Sequence, residues 1–467
     1  MTTQKLCGLF LFAVSVSLFG TTLMQHQTAS AKPRPDTQGF LDAPPPRETE
    51  RSPERDAQRL AEHEARQERP LNPTEKLGKQ LFFDENLSMP RGQACASCHD
   101  PGTGFTSPSS EINAAGAVVP GAVEERSGNR KPPSVAYAGG SPVLHFEGTD
   151  GGRGRWIGGL FCDGRATGQT LGDPLVEQAT EPFLNDLEQN LNDVKDVIRR
   201  VARSDYADLF ERVWGKGSLK PDDIEATFEL IGRSIAAYER SKEVSAFTSK
   251  YDFVLRGKAT LTEQEAFGLE LFNGKAACFF CHTSAEGEDG SAPVFTDFTY
   301  HNIGTPKNPD NPFYSQPRRI NPDGEDFIDE GLGGFLRSAG YASEVYTAEL
   351  GKHKVPTLRN IDKRPSKDFV RAYGHNGVFK SLEEIVHFYN TREVEDWPAP
   401  EVTENVNPFI GDLGLTADEE AAVVAFLKTL SDGYKPPRIR LDGPESEGAD
   451  QNTDAQVPPS TGGRPKR

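Results

Sequence analysis

The sequence predicts a mainly α protein made of two related lobes joined by long loops, and three observations carry that expectation. The pentapeptide Cys95-Ala96-Ser97-Cys98-His99 recurs as Cys278-Phe279-Phe280-Cys281-His282. A segment ahead of each copy, Leu71 to Phe82 and Leu261 to Phe272, keeps Leu, Glu, Gly, Leu and Phe in the same places. Apolar residues elsewhere recur at helical spacing. An internal repeat decides architecture before local propensity does.

Taken in order, residues 1–31 read as an export signal: Lys5, an apolar run from Leu6 to Met24, then Ala29-Ser30-Ala31 as a small-residue cleavage site. The run is short and wrongly flanked for a membrane span, so a periplasmic protein with no stable membrane anchor is expected; an uncleaved membrane anchor is the alternative. Residues 32–70, rich in Pro, Arg, Glu and Gln, predict a disordered leader. The N-terminal lobe is expected over 71–250 and the C-terminal lobe over 251–441, each opening with a capped amphipathic helix. Further helices are predicted over 193–203, 206–214 and 222–242, the last with Ile224, Phe228, Ile231, Ile235 and Tyr238 in one stripe. Residues 283–350 read as loop, with Gly331 to Gly334 as a turn signal. Ser381 to Glu384 and Thr416 to Glu419 read as capping boxes opening two last helices. Residues 442–467 offer little to bury and read as a disordered tail.

The net charge of −18 argues against nucleic acid as a partner and suits a small basic electron carrier. Of six cysteines, Cys7 leaves with the signal and four lie in the pentapeptides, so Cys162 alone remains and no disulfide framework is available. Cys-x-x-Cys-His is the attachment pattern of a c-type haem, with two thioether bonds and a proximal histidine. Zinc is the competing use, but each cluster offers three ligands and no second pair lies nearby. Two covalently bound haems c are therefore expected, on Cys95, Cys98 and His99 and on Cys278, Cys281 and His282.

The group opposite each histidine decides between electron transfer and reaction at iron. Methionine is scarce: Met1 and Met24 fall in the signal, and Met89 lies in a turn-like stretch. On the helix opened by Ser381, Leu382, Ile385, Val386 and Tyr389 share a face, while His387 lies about 200° from Tyr389. Tyr389 is the candidate ligand of the second iron; a core tyrosine with a hydrogen-bonded hydroxyl is the alternative. The repeat aligns Pro182 with Tyr389, and proline has no side-chain ligand atom. The first iron is then open, with Gln178 one turn earlier and Glu188 six residues later. Glu188 beside an open iron suits a proton shuttle for hydrogen peroxide; a solvated surface acid is the alternative.

Over roughly Leu71 to Tyr434 the chain resembles the bacterial di-haem cytochrome c peroxidases, and more closely their MauG-like branch. The resemblance rests on both pentapeptides, Leu81 to Asp84, Phe161 to Ala166, Lys354 to Asn360 and Phe388 to Arg392. It implies two cytochrome c-like lobes, a peroxidatic N-terminal haem, a C-terminal haem that holds a second oxidising equivalent, and a distal pocket at Gln178, Pro182 and Glu188. Tyr389 in place of a methionine, and the lack of histidine between His99 and His145, point to the MauG-like branch. Cys162 stands where the family has an inter-haem tryptophan, with Trp156 as a possible substitute. Lys131 and Val370 stand where it has calcium ligands, which leaves calcium open. His375 matches a histidine of the second-haem pocket.

The expected function is a peroxide-dependent oxidation of a protein or protein-bound substrate. A cytochrome c peroxidase fed by a small cytochrome c or copper protein is the alternative of the same class. A non-catalytic di-haem electron carrier is the alternative of another class.

Overall fold

Two helix pairs, one in each half of the chain, carry the fold. The computed structural model describes residues 53–148, 154–220, 223–287 and 290–436; the expected signal, the start of the leader and the tail lie outside them. The helices of the first half are α1 (Pro53–Glu68), α2 (Pro73–Phe82), α3 (Ser110–Ala114), α4 (Pro174–Leu184), α5 (Val194–Val201), α6 (Ala207–Trp214) and α7 (Ile224–Glu239). Those of the second are α8 (Lys250–Leu255), α9 (Glu263–Phe272), α10 (Gly331–Ser338), α11 (Ser343–Thr347), α12 (Leu382–Thr391) and α13 (Ala417–Lys428). Strands are short: β1 (His145–Gly148) pairs antiparallel with β2 (Gly154–Ile157), and β3 (Tyr300–His301) with β4 (His353–Lys354). No described helix is long and apolar enough to cross a membrane.

The repeat starts both helix pairs alike. Asn72 accepts from the Glu75 N–H and Glu75 from the Asn72 N–H, at 2.9 and 2.7 Å, which opens α2; Thr262 and Glu265 do the same for α9. Helix α2 then packs on α7, and α9 on α13. The glycine shared by the two repeats explains how closely. A Cβ at Gly78 would lie 1.8 Å from the Ser234 carbonyl oxygen, and one at Gly268 1.9 Å from that of Ala422. Each glycine lets its helix rest on the partner's backbone.

Buried apolar residues gather around these pairs. One cluster holds Leu77, Leu81, Phe82, Ile231, Ile235 and Tyr238, and another Leu271, Phe272, Phe388, Val423 and Phe426. Arg359 sits where they meet. It is fully buried, its Nη1 2.8 Å from Asp252 Oδ2, beneath the rings of Tyr137, Phe247 and Phe295. Burial alone would raise the Asp252 carboxyl; Arg359 and Ser249 outweigh it and hold the group below its usual range.

Three expectations need correction. The leader is not wholly irregular, because 53–68 is helical. Pro53 starts it, no Pro or Gly follows to Glu68, and the Ala, Arg, Glu and Gln content favours a helix. Its end is also docked, with Arg66 donating to the Ser245 carbonyl and Gln67 to that of Ala246. Residues 283–350 are not all loop, since α10 begins at Gly331. There Leu332 and Leu336 recur at i and i+4 and are fully buried. The capping box at Ser381 is half formed: Ser381 accepts from the Glu384 N–H, but Glu384 accepts from the Lys380 N–H instead of from that of Ser381.

Gly→Ala inside a helix normally gains about 1 kcal/mol. At Gly78 or Gly268 the backbone clash should reverse that sign and cost about 1–3 kcal/mol. Thermal or chemical unfolding of Gly78→Ala and Gly268→Ala measures it, and an unchanged or raised midpoint would contradict the packing role.

Candidate active site

Each pentapeptide folds into one 3-10 turn, Cys95–Ser97 and Cys278–Phe280. The histidine N–H that follows donates back to the first cysteine's carbonyl, at 3.0 Å for His99 and 2.9 Å for His282. The side chain is fixed as well: Nδ1 of His99 lies 3.1 Å from the Phe105 carbonyl oxygen, and Nδ1 of His282 lies 2.8 Å from that of Phe295. A carbonyl can only accept, so Nδ1 carries the hydrogen and Nε2 keeps its lone pair. Burial lowers both imidazoles, His99 to about 4, which leaves that lone pair unprotonated at neutral pH.

The two carbonyls are presented by matching frames. Phe105 and Phe295 both adopt a left-handed backbone, with φ of 60° and 53°. The next residue anchors each, Thr106 Oγ1 donating to the Pro132 carbonyl (2.5 Å) and Thr296 Oγ1 to that of Val355 (2.7 Å). Ser134 donates to the Gly104 carbonyl and Thr357 to that of Val294. Pro133-Ser134-Val135 and Pro356-Thr357-Leu358 are alike in sequence, and the likeness is one hydrogen bond made twice. Cys162-Asp163-Gly164 and His375-Asn376-Gly377 occupy matching turns as well: a bridge between Leu160 and Ala166 closes the first turn, and one between Tyr373 and Phe379 the second.

Both proximal turns face one cavity of about 1090 Å³, above the roughly 300–1,000 Å³ of an ordinary small-ligand site. Helices α4 and α12 supply its other wall, and here the halves differ. Gln178 and Pro182, one turn apart on α4, line it with Glu188 from the turn that follows. That turn is fixed by Asn185, whose Oδ1 accepts from the Leu187 N–H (3.0 Å) and whose Nδ2 donates to Glu188 Oε1 (2.8 Å). Burial raises the Glu188 carboxyl; Arg165 opposes this and Glu181 adds to it. On α12, Leu382, Ile385, Val386 and Tyr389 line the cavity. Among the described residues the Tyr389 hydroxyl has no hydrogen-bond partner, and burial beside Cys281 and Cys278 keeps it protonated. His387 faces outward between Glu420 and Glu395.

Other residues singled out from the sequence fall as follows. Cys162 lines the cavity, and its carbonyl accepts from the Lys354 N–H at 2.8 Å. Trp156 is outside the cavity lining, buried in a separate cluster with Tyr300 and Leu332; it stands as a core tryptophan because β2 turns it away. Met89 is exposed and outside the lining. Lys131 Nζ donates to the Pro132 carbonyl at 3.0 Å, and the Val370 carbonyl already accepts from Asn113. An ammonium and an occupied carbonyl do not fit a calcium ion.

Sequence reasoning missed Phe105 and Phe295, which lie six residues after His99 and thirteen after His282. The shared Phe-Thr pair was the available signal, hidden by the unequal spacing. It also missed Glu239, a buried cavity acid whose Oε2 has no hydrogen-bond partner among the described residues and which burial pushes up to about 8.

Two cysteines and a bare imidazole nitrogen on each turn, facing one cavity, fit a pair of covalently held haems. Fold and site thus define a di-haem c-type oxidoreductase. A model of the di-haem cytochrome c peroxidase family matches residues 72–260. The methylamine utilization protein MauG of Paracoccus denitrificans is 37% identical over 377 residues, 77% of this chain and 89% of that protein. Cytochrome-c peroxidase IdrP2 of Denitromonas iodatirespirans is 27% identical, over 76% of this chain and 81% of that one. Among solved structures, the diheme peroxidase BthA of Burkholderia thailandensis superposes with a TM-score of 0.66 at 31% identity, covering 78% of this chain and 87% of that one. The chain belongs to the di-haem cytochrome c peroxidase family, in its MauG-like branch. It is an oxidoreductase acting on hydrogen peroxide, with two covalently bound c-type haems.

Proposed function

We propose that the protein is a periplasmic peroxide-dependent oxidase of a protein or protein-bound substrate, and that its two haem sites divide the work. The lobes are residues 71–250 and 251–441. Cys95, Cys98 and His99 hold one haem, and Cys278, Cys281 and His282 hold the other. The observation that carries the reading is the unlike pair Pro182 and Tyr389 at equivalent places on α4 and α12. Haem iron with a free coordination position supplies the redox chemistry toward peroxide.

The chain's residues supply the rest. Pro182 offers no ligand atom, so space beside His99 stays open to hydrogen peroxide. Glu188 takes the proton from the inner oxygen of peroxide and returns it to the outer one, and that transfer assists cleavage of the O–O bond. Its raised carboxyl is matched to such two-way transfer better than a solvated glutamate, and Asn185 holds it in place. The Gln178 side-chain amide bears no hydrogen bond among the described residues and is free to orient the incoming peroxide. Across the cavity the Tyr389 hydroxyl, equally unpartnered among the described residues, would hold the second haem iron together with His282. The net charge of −18 favours, as a second reading, electron delivery by a small basic carrier.

Glu188→Gln should slow the peroxide reaction about 10²-fold or more in stopped-flow absorbance, with both haems still attached; normal kinetics would return Glu188 to a structural role. In the wild-type protein the rate should fall as pH drops through the Glu188 pKa, because the base form is needed. That inflection should lie above the ordinary glutamate range and vanish in the variant. Tyr389→Phe should abolish the tyrosine-ligated low-spin signal of one haem, and an unchanged spectrum would assign the ligand elsewhere.

A further inference from the structure

Four residues from separate segments, His353 on β4 and the others in loops, converge on one wall of the cavity without a part in the peroxide reaction. Asp329, His353 and His375 bring ligand atoms within 4.8 Å of one another, and Glu401 adjoins them. His353 Nε2 lies 3.4 Å from Asp329 Oδ1. His375 Nε2 lies 4.0 Å from Asp329 Oδ2 and 3.6 Å from Glu401 Oε2. The imidazoles stack at 3.6 Å with 11° between their planes, which directs both Nε2 atoms to the same carboxylate.

The hydrogen bonding here is incomplete. His353 Nδ1 lies 3.1 Å from the Gly351 carbonyl, so in the neutral ring the hydrogen is on Nδ1 and a lone pair is on Nε2. That lone pair faces a carboxylate oxygen. Among the described residues His353 Nε2, His375 Nε2 and Glu401 Oε2 are all buried without a hydrogen-bond partner, and the side chains of His375 and Glu401 are 6% and 4% exposed. Buried polar atoms left this way cost about 1–3 kcal/mol each. Asp329, by contrast, is firmly placed: Arg130 donates to both its oxygens at 2.6 Å, and Asn129 and the Gly331 N–H add further bonds.

A cation between these atoms resolves the conflict. Zinc bonds imidazole nitrogen at about 2.0–2.1 Å, so neighbouring ligands of a tetrahedral site lie about 3.4 Å apart. The distances of 3.4 and 3.6 Å between imidazole nitrogen and carboxylate oxygen match that edge. Two imidazoles with carboxylates select a first-row transition ion over calcium or magnesium, which prefer all-oxygen sites. We propose that His353 and His375, with Asp329 and Glu401, form a binding site for one divalent first-row transition ion, separate from the two haem irons.

The test uses the holoprotein. Chelator dialysis leaves thioether-linked haem in place; zinc chloride is then added in excess, the protein is desalted, and zinc and iron are counted by mass spectrometry. One zinc per two irons is expected, with zinc-edge X-ray absorption showing two imidazole nitrogens at about 2.0–2.1 Å. His353→Ala and His375→Ala should each weaken zinc binding at least tenfold while retaining two irons per chain. A wild-type protein with two irons and no zinc would overturn the site, as would zinc binding indifferent to both substitutions; the wild-type count stands even if a variant fails to fold. The peroxide reaction, followed in the same samples, reports separately on the proposed function.

Discussion

Everything else in this structure depends on the bond between each proximal imidazole and a phenylalanine carbonyl. It fixes the tautomer of His99 and His282 and turns both Nε2 atoms toward the cavity. The carbonyls of Phe105 and Phe295 are aimed by left-handed backbone, which costs energy for a bulky residue. Their threonine neighbours and the Ser134 and Thr357 hydroxyls hold that conformation. The frame around each haem is thus a rigid loop built twice, packed under a helix pair that a shared glycine lets close.

With the proximal sides alike, function rests on where the halves part. On α4 the equivalent position is Pro182, which has nothing to offer a metal, and the following turn swings Glu188 into the cavity. On α12 it is Tyr389, whose hydroxyl has no hydrogen-bond partner among the described residues. Duplication explains the common scaffold, and on the proposed reading two side chains on it separate a reactive site from a partner site. Arg359, buried where the two hydrophobic clusters meet, is paired with Asp252 of its own half and packs on the rings of Tyr137 and Phe247 from the first half and of Phe295 from the second.

Much of this was legible in the sequence, because its signals are local. The capping boxes at Asn72, Thr262 and Thr416 need only neighbouring residues, and all three form. The face carrying Leu382, Ile385, Val386 and Tyr389 follows from helical periodicity and lines the cavity as expected. What was not legible depends on contacts distant in sequence. The carbonyls of Phe105 and Phe295 serve through backbone, which composition does not report. Asp329, His353, His375 and Glu401 come from four separate segments, three loops and strand β4, with no period to betray them. The leader was misjudged where charge-rich composition, taken as disorder, also describes a docked helix.

The central claim is that the two irons differ because Pro182 and Tyr389 differ. Electron paramagnetic resonance of the resting ferric holoprotein tests it most directly. The account predicts one high-spin and one low-spin signal, with the high-spin signal lost on addition of hydrogen peroxide. Two low-spin signals that do not respond to peroxide would contradict it.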